Sequence, residues 1–171
     1  VEMSDFLASY GCYVEQVLKP SQLEIRDILA RWQRPDHWTK YQRTNRIPIP
    51  SPIKSVFSRI KRPEQVVDKI CRKSARFPLG LRPESFRSMH DALGVRVVVF
   101  VPSHLPLVDR ELRGSDLFDT STDEPPTAYM PPHEARMLTL DHCEHVEKES
   151  GYRAVHSVLG LRSSEVPADR R

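Results

Sequence analysis

The stretch Gly94 to Val101 reads GVRVVVFV, nearly all β-branched residues, and Pro102 closes it. Such a run favours the pleated strand and identifies this segment as the strongest strand in the chain. Its unbroken apolar character predicts a central strand covered on both faces. Just upstream, Lys54 to Lys61 (KSVFSRIK) alternates in a strand-like way, with Val56 and Phe57 breaking strict period two. Between the two, Pro63 suits the first turn of a helix over Glu64 to Lys73, whose apolar positions are Val66, Val67 and Ile70. Phe77 to Pro83 is a Pro/Gly-rich loop.

Working outward, Phe6, Leu7, Tyr10, Val14, Val17 and Leu18 recur at helical spacing, with Ser4 as N-cap and Pro20 closing the segment. A second helix starts at Ser21, turns Leu23, Ile28, Leu29 and Trp32 inward, and stops before Pro35. Ile47 to Pro52 (IPIPSP) is an extended connector, because its prolines remove donors and fix the backbone. Downstream, Pro102 to Met137 carries Pro125-Pro126 and Pro131-Pro132 and reads as a long, mobile insertion. Met137 to Leu140 is expected as a short strand, and Gly151 to Leu161 (GYRAVHSVLGL) as another. The expected class is α/β (α+β), a small mixed β-sheet flanked by helices. The division is one domain over 1–171: helices in 1–46, two strands and a helix in 53–101, the insertion at 102–137, and a last strand region at 138–161.

At 171 residues, 39% hydrophobic and 29% charged, the chain can bury a core and lies outside the disordered range. It has no apolar run long enough for a membrane span and no signal-peptide pattern, so no membrane and a cytoplasmic location are expected. The first residue is Val1, which suggests a fragment. Cys12, Cys71 and Cys143 lack metal or redox spacing and read as reduced thiols. Net charge is only +3, yet Lys54 to Arg87 is strongly basic and Asp109 to Glu149 acidic. The basic block fits either an anionic partner or a solvated helix face.

Three islands carry chemistry. Arg59-x-Lys61 places two cations on one strand face, and Lys69 on the following helix can turn back over them, an arrangement suited to a triphosphate. Asp91-x-x-Gly94-x-Arg96 puts a carboxylate at a strand mouth, where it either caps a turn or holds Mg²⁺ together with phosphate oxygens. Gly94 there would permit close backbone approach or a special dihedral. In Lys148-x-x-Gly151-Tyr152-Arg153-Ala154-Val155-His156, Tyr152, Ala154 and His156 share one strand face. Tyr152 is then either a stacking platform for a purine, with Lys148 near its phosphate, or a core residue of a half-buried strand. Asp141-His142-Cys143-Glu144-His145 lacks the second ligand pair that a structural zinc site requires. Walker A, Gly-x-Gly-x-x-Gly and Gly-x-Ser-x-Gly motifs do not occur.

Read in order, these islands resemble the RelA/SpoT family of alarmone synthetases. SRIKRPEQVVDKICRK is similar to the family's ATP-binding segment, MHDALGVRVVVF to its magnesium-binding Asp and following strand, and KESGYRAVH to its guanine-binding loop. The resemblance runs from about Val56 to Leu161 and implies a nucleotidyltransferase-like synthetase fold of the small stand-alone type. It implies transfer of pyrophosphate from ATP to the 3′-hydroxyl of GDP or GTP. Arg59, Lys61 and Lys69 would hold the ATP phosphates and Asp91 the Mg²⁺; Tyr152 would stack on guanine while Lys148 and His156 hold the acceptor. Gln65 stands where the family usually has Ser, and Ser150 where it usually has Asn. The family's Glu-x-Gln-Ile-Arg-Thr-like strand has no counterpart after Leu161, and Glu165 lies in a Ser/Pro/Asp context, so the chain is expected to be C-terminally incomplete and poorly active. An adenine nucleotide or a transfer-RNA 3′ end as acceptor, an antitoxin partner, a homo-oligomer, and a non-catalytic nucleotide- or RNA-binding module remain open.

Overall fold

A computed structural model describes residues 3–41, 50–120 and 124–162 of the chain. Its first helix, α1 (Met3–Tyr13), runs through a π-helical turn at Val14–Leu18 directly into α2 (Lys19–Trp32). Pro20 therefore does not end the helix. It sits in the first turn of α2, where a missing N–H costs nothing, and the wider turn before it carries the Lys19 N–H to the Val14 carbonyl. Ile28, Leu29 and Trp32 are buried as expected, whereas Leu23 is exposed. Of the IPIPSP connector, residues 47–49 lie outside the described residues, as does Glu165.

After a 3-10 turn (Pro35–Trp38) come β1 (Ile53–Ile60), α3 (Pro63–Arg72), the short α4 (Pro83–Arg87) and β2 (Leu93–Val99). Gln65 caps α3: its side-chain oxygen accepts the Arg62 backbone N–H at 3.2 Å, so the departure from Ser at this position has a structural use. β1 and β2 form an antiparallel pair, with Ile60 opposite Leu93, Arg59 opposite Gly94 and Phe57 opposite Arg96. Strand alternation then separates two faces. Ile60 and Leu93 pack on a core made by Phe6, Tyr10, Val66, Ile70 and Phe86, and Val56 and Val97 on a second core around Ile28, Trp32 and Trp38. The other face carries Phe57, Arg59, Gly94 and Arg96, of which Phe57 and both arginines are exposed. β2 is thus half of a two-stranded sheet with one open face, not a central strand covered twice.

The expected mobile insertion is largely built into the fold. It contains a 3-10 turn (Pro102–His104), α5 (Leu105–Gly114), β3 (Phe118–Asp119), β4 (Thr127–Tyr129) and α6 (Pro132–Met137). Val108 and Phe118 enter the second core, and Ala128, Met130 and Ala135 make a third with Leu140 and Cys143. Its prolines start helices instead of preventing them: Pro106 and Pro132 lie at the first positions of α5 and α6. Residues 137–140 are the end of α6 and a turn, not a strand, with Thr139 at φ 56°. β5 (Glu144–His145), β6 (Ala154–His156) and β7 (Gly160–Leu161) follow.

In place of one mixed sheet, the described residues form three small ones: β1–β2, antiparallel β3–β7, and a mixed β5–β4–β6 with β4 parallel to β5 and antiparallel to β6. The architecture is mixed α+β. No helix among the described residues is long and apolar enough to cross a membrane. Cys12 and Cys71 are exposed, Cys143 is buried, and all three are free thiols.

A buried charge ties α5 to the segment that follows α2. The Glu111 carboxylate accepts hydrogen bonds from His37 Nε2, Lys40 Nζ and Tyr41 OH, each at 2.8 Å. Burial pushes its carboxyl up, but the bonds from Lys40, Tyr41 and His37 outweigh that, and the result lies below the ordinary value of 4.5. A carboxyl depressed in the folded state contributes stability above its unfolded value, and this is lost as pH falls through that value and below. Glu111→Gln should cost about 1–3 kcal/mol at neutral pH and lose part of the wild-type decline below about pH 4.5. Urea titrations at pH 7 and pH 4 measure both.

Candidate functional site

Two groups of the sequence-derived residues assemble, one at the end of the β1–β2 ladder and one on β4 and β6. The first is built by the ladder itself. The Lys61 N–H bonds to the Ala92 carbonyl at 2.9 Å, which extends the pairing by one residue and brings Lys61 beside Asp91. Tyr10 of α1 donates its hydroxyl to the Lys61 carbonyl at 2.6 Å and fixes the strand end from below. Lys69 reaches the same place from α3. Lys61 Nζ lies 3.1 Å from Asp91 Oδ2, and Lys69 Nζ donates to Oδ1. Both lysine side chains are mostly buried, at 14% and 15% exposure, whereas Asp91 is 51% exposed.

Two ammonium groups on one carboxylate leave a net positive charge close to solvent. Burial raises the Asp91 carboxyl, the bonds from Lys69 and Lys61 lower it more, and it stays ionised well into the acid range. Asp91 is therefore an ion-pair partner of the two lysines, and the turn-capping alternative has no hydrogen bond to support it. Arg59 lies two residues earlier on the same strand face, its side chain along Gly94. A Cβ at Gly94 would meet Arg59 Cγ at 3.7 Å, an ordinary contact, and the residue has no positive φ, so the expected special dihedral is not realised. Beside Asp91, His90 and Arg76 both contact Glu124, at 3.1 and 2.5 Å.

The second group sits on β4 and β6. Tyr152 precedes β6 instead of lying within it, but it does share a side with His156: its hydroxyl stands 3.3 Å from His156 Nε2. At 42% exposure Tyr152 is not a core residue. On the opposite side Arg153 forms a two-pronged pair with Glu134 at 2.6 and 2.8 Å, and Val155 packs on the third core. Gly151 has φ +71°, a conformation glycine adopts without strain, and it turns the chain between Lys148 and Tyr152. Burial lowers the His156 imidazole below its ordinary value, and the charge of Arg96 lowers it further, so His156 is neutral at pH 7. Arg96, exposed on the β1–β2 face, is close enough for its charge to act on His156.

Tyr129 went unnoticed in the sequence. Its ring lies 4.6 Å from that of His156 and 6.0 Å from that of Tyr152, and Lys148 Nζ lies 5.2 Å from its centroid. The only local signal was the β-prone Thr-Ala-Tyr of residues 127–129 amid prolines. The His/Cys patch disperses: His142 pairs with Asp109 at 3.0 Å, His145 with the Leu140 carbonyl at 3.2 Å, and Cys143 enters the core. Among the described residues no group of three or more His, Cys, Asp or Glu could hold a metal ion. Asp91 could hold Mg²⁺ only in company, because its partners here are cations and the ion favours carboxylate with phosphate oxygens and water. A phosphate group that drew the lysines away would free that carboxylate.

Compared with protein-family models and with curated proteins, the chain matches none.

Deleting the carboxylate leaves both lysine charges unneutralised. An added unit of net charge a few ångströms from an anion changes its binding by on the order of 1–4 kcal/mol in a partly solvated site. Asp91→Asn should therefore bind inorganic pyrophosphate tighter than wild type by about tenfold or more without metal, and Lys61→Ala and Lys69→Ala should bind it more weakly. Calorimetric titration at low salt measures the ranking.

Proposed function

We propose that this chain is an alarmone-synthetase-like domain that binds ATP at the Lys61–Asp91–Lys69 cluster and a guanine nucleotide at Tyr152. The observation that carries the reading is the convergence of two mostly buried lysines, from β1 and α3, on one half-exposed carboxylate. That cluster has the charge and the exposure to take a polyphosphate. The reading rests also on the order of the sequence islands, which resembles the RelA/SpoT pattern, and on the aromatic group that Tyr129, Tyr152 and His156 form. The proposed fold is accordingly nucleotidyltransferase-like.

In the proposed reaction the 3′-oxygen of GDP or GTP bonds to the β-phosphorus of ATP. The bond from that phosphorus to the oxygen bridging to the α-phosphate breaks, AMP leaves, and the 3′-hydroxyl proton passes to solvent or a base. Lys61 and Lys69 hold the transferred phosphates and neutralise charge on them, and Arg59 extends the positive surface along β1. Mg²⁺, held by Asp91 with the phosphates, would supply further charge neutralisation. Neutral His156 offers a hydrogen bond without a competing charge, and Lys148 meets the acceptor phosphates.

The test is chromatographic detection of pyrophosphorylated guanosine product after incubation with Mg²⁺, labelled ATP and GDP, beside calorimetric titration of each nucleotide. The account expects GDP binding that Tyr152→Ala weakens about tenfold, in line with the loss of one stacked base. It expects Mg²⁺ to tighten ATP binding in wild type and to make no difference in Asp91→Asn. Unchanged GDP affinity in Tyr152→Ala removes the base platform, and retained Mg²⁺-dependent ATP binding in Asp91→Asn refutes the metal role. Nucleotide binding without guanosine product would point to a different acceptor or to a binding module.

A further inference from the structure

Tyr129 belongs to a strand whose register decides which way its ring points. β4 pairs antiparallel with β6, and Tyr129 lies directly opposite Ala154. Opposite residues share a face, so the Tyr129 ring stands on the side that carries His156 and Tyr152. Ala154 contributes only a methyl group there, which leaves room above it. On either side of Tyr129, Ala128 and Met130 are completely buried in the third core and hold the strand in place. The Tyr129 ring meets His156 edge-on, with 63° between the planes, and lies at 54° to the ring of Tyr152.

We propose that Tyr129 is the second aromatic wall of the acceptor-base site, so that a purine is held between Tyr129 and Tyr152. The inference rests on the reading of Tyr152 as a base platform. The two rings are in contact at 6.0 Å, within the roughly 4.5–7 Å range where aromatic pairs attract. A base therefore enters by replacing that contact, and each tyrosine exchanges a ring neighbour for a larger purine face. His156, edge-on to Tyr129 and 3.3 Å from the Tyr152 hydroxyl, closes the inner side and faces the base edge. Lys148 lies over Tyr129, not over Tyr152, which puts the phosphate end of the ligand on the Tyr129 side. Two walls favour a double-ring base, so the substrate class is a purine nucleotide with a charged phosphate tail, and a pyrimidine nucleotide fits poorly.

The experiment is calorimetric titration of the 171-residue chain with GDP, GMP and CDP, in wild type and in Tyr129→Ala, Tyr129→Phe, Tyr152→Ala and Lys148→Ala. Because the wall touches the base, Tyr129→Ala should weaken GDP and GMP by the same factor, about tenfold. It should also narrow the preference for GDP over CDP, and Tyr129→Phe should bind like wild type. Lys148→Ala should weaken GDP more than GMP. Wild-type GDP affinity in Tyr129→Ala, beside a weakened Tyr152→Ala, overturns the second wall and leaves the base platform standing. Unchanged affinity in Tyr152→Ala defeats the platform and the wall together. Should circular dichroism show Tyr129→Ala unfolded, Tyr129→Leu replaces it, and wild-type affinity in that variant counts against the wall.

Discussion

The antiparallel pairing of β1 with β2 is the constraint on which the rest of the structure depends. Once Arg59 is opposite Gly94 and Phe57 opposite Arg96, every side chain of both strands is assigned to one of two faces. The inner face, with Ile60, Leu93, Val56 and Val97, must be buried, and α1, α2 and α3 cover it in two adjoining cores. The outer face then necessarily presents Arg59 and Arg96 to solvent. A slip of one residue would bury the arginines and expose the valines, a loss of apolar burial that no local contact could recover.

The same ladder sets the electrostatics. Its last rung brings Lys61 beside Asp91, and α3, starting immediately after β1, returns Lys69 to the same carboxylate. Three charged groups from three segments thus meet because the chain turns sharply at Pro63, not because any of them is close in sequence. Burying two lysine stems under a single carboxylate leaves an excess positive charge at the surface, and an anion relieves it. In the aromatic group on β4 and β6, burial and the charge of Arg96 hold His156 toward its neutral form.

Local patterns were legible in the sequence and long-range consequences were not. The extents of β1 and α3, the helix start at Pro63, and the burial of Ile28, Leu29 and Trp32 follow from spacing alone. Lys61 and Lys69 could be grouped because alternation on β1 and the helical turn of α3 point them together, whereas the pairing of both with Asp91 came only from the β1–β2 ladder. The valine run of β2 misled, because whether a strand is covered once or twice depends on what packs against it and not on its own residues. Pro20 was expected to close a helix and the Pro125-Pro126 and Pro131-Pro132 pairs to mark a mobile insertion, yet Pro20 and Pro132, like Pro106, lie in first turns where proline is tolerated. That error concealed α5, where Leu105, Val108 and Leu112 in fact recur at helical spacing. Tyr129 escaped notice because only its pairing with Ala154, far along the chain, places it beside Tyr152.

We propose that the chain offers two separate nucleotide sites, one for phosphates at Lys61–Asp91–Lys69 beside the β1–β2 pair and one for a guanine base at Tyr152 beside β6. Photo-crosslinking with azido-ATP and azido-GDP, followed by mass mapping of the labelled peptides, tests it most directly. The account predicts azido-ATP label on peptides spanning residues 59–69 or 91–96, and azido-GDP label on peptides holding Tyr129 or Tyr152, each competed by its own unmodified nucleotide. Label from both probes on one shared peptide, or on surfaces remote from both groups, would contradict it.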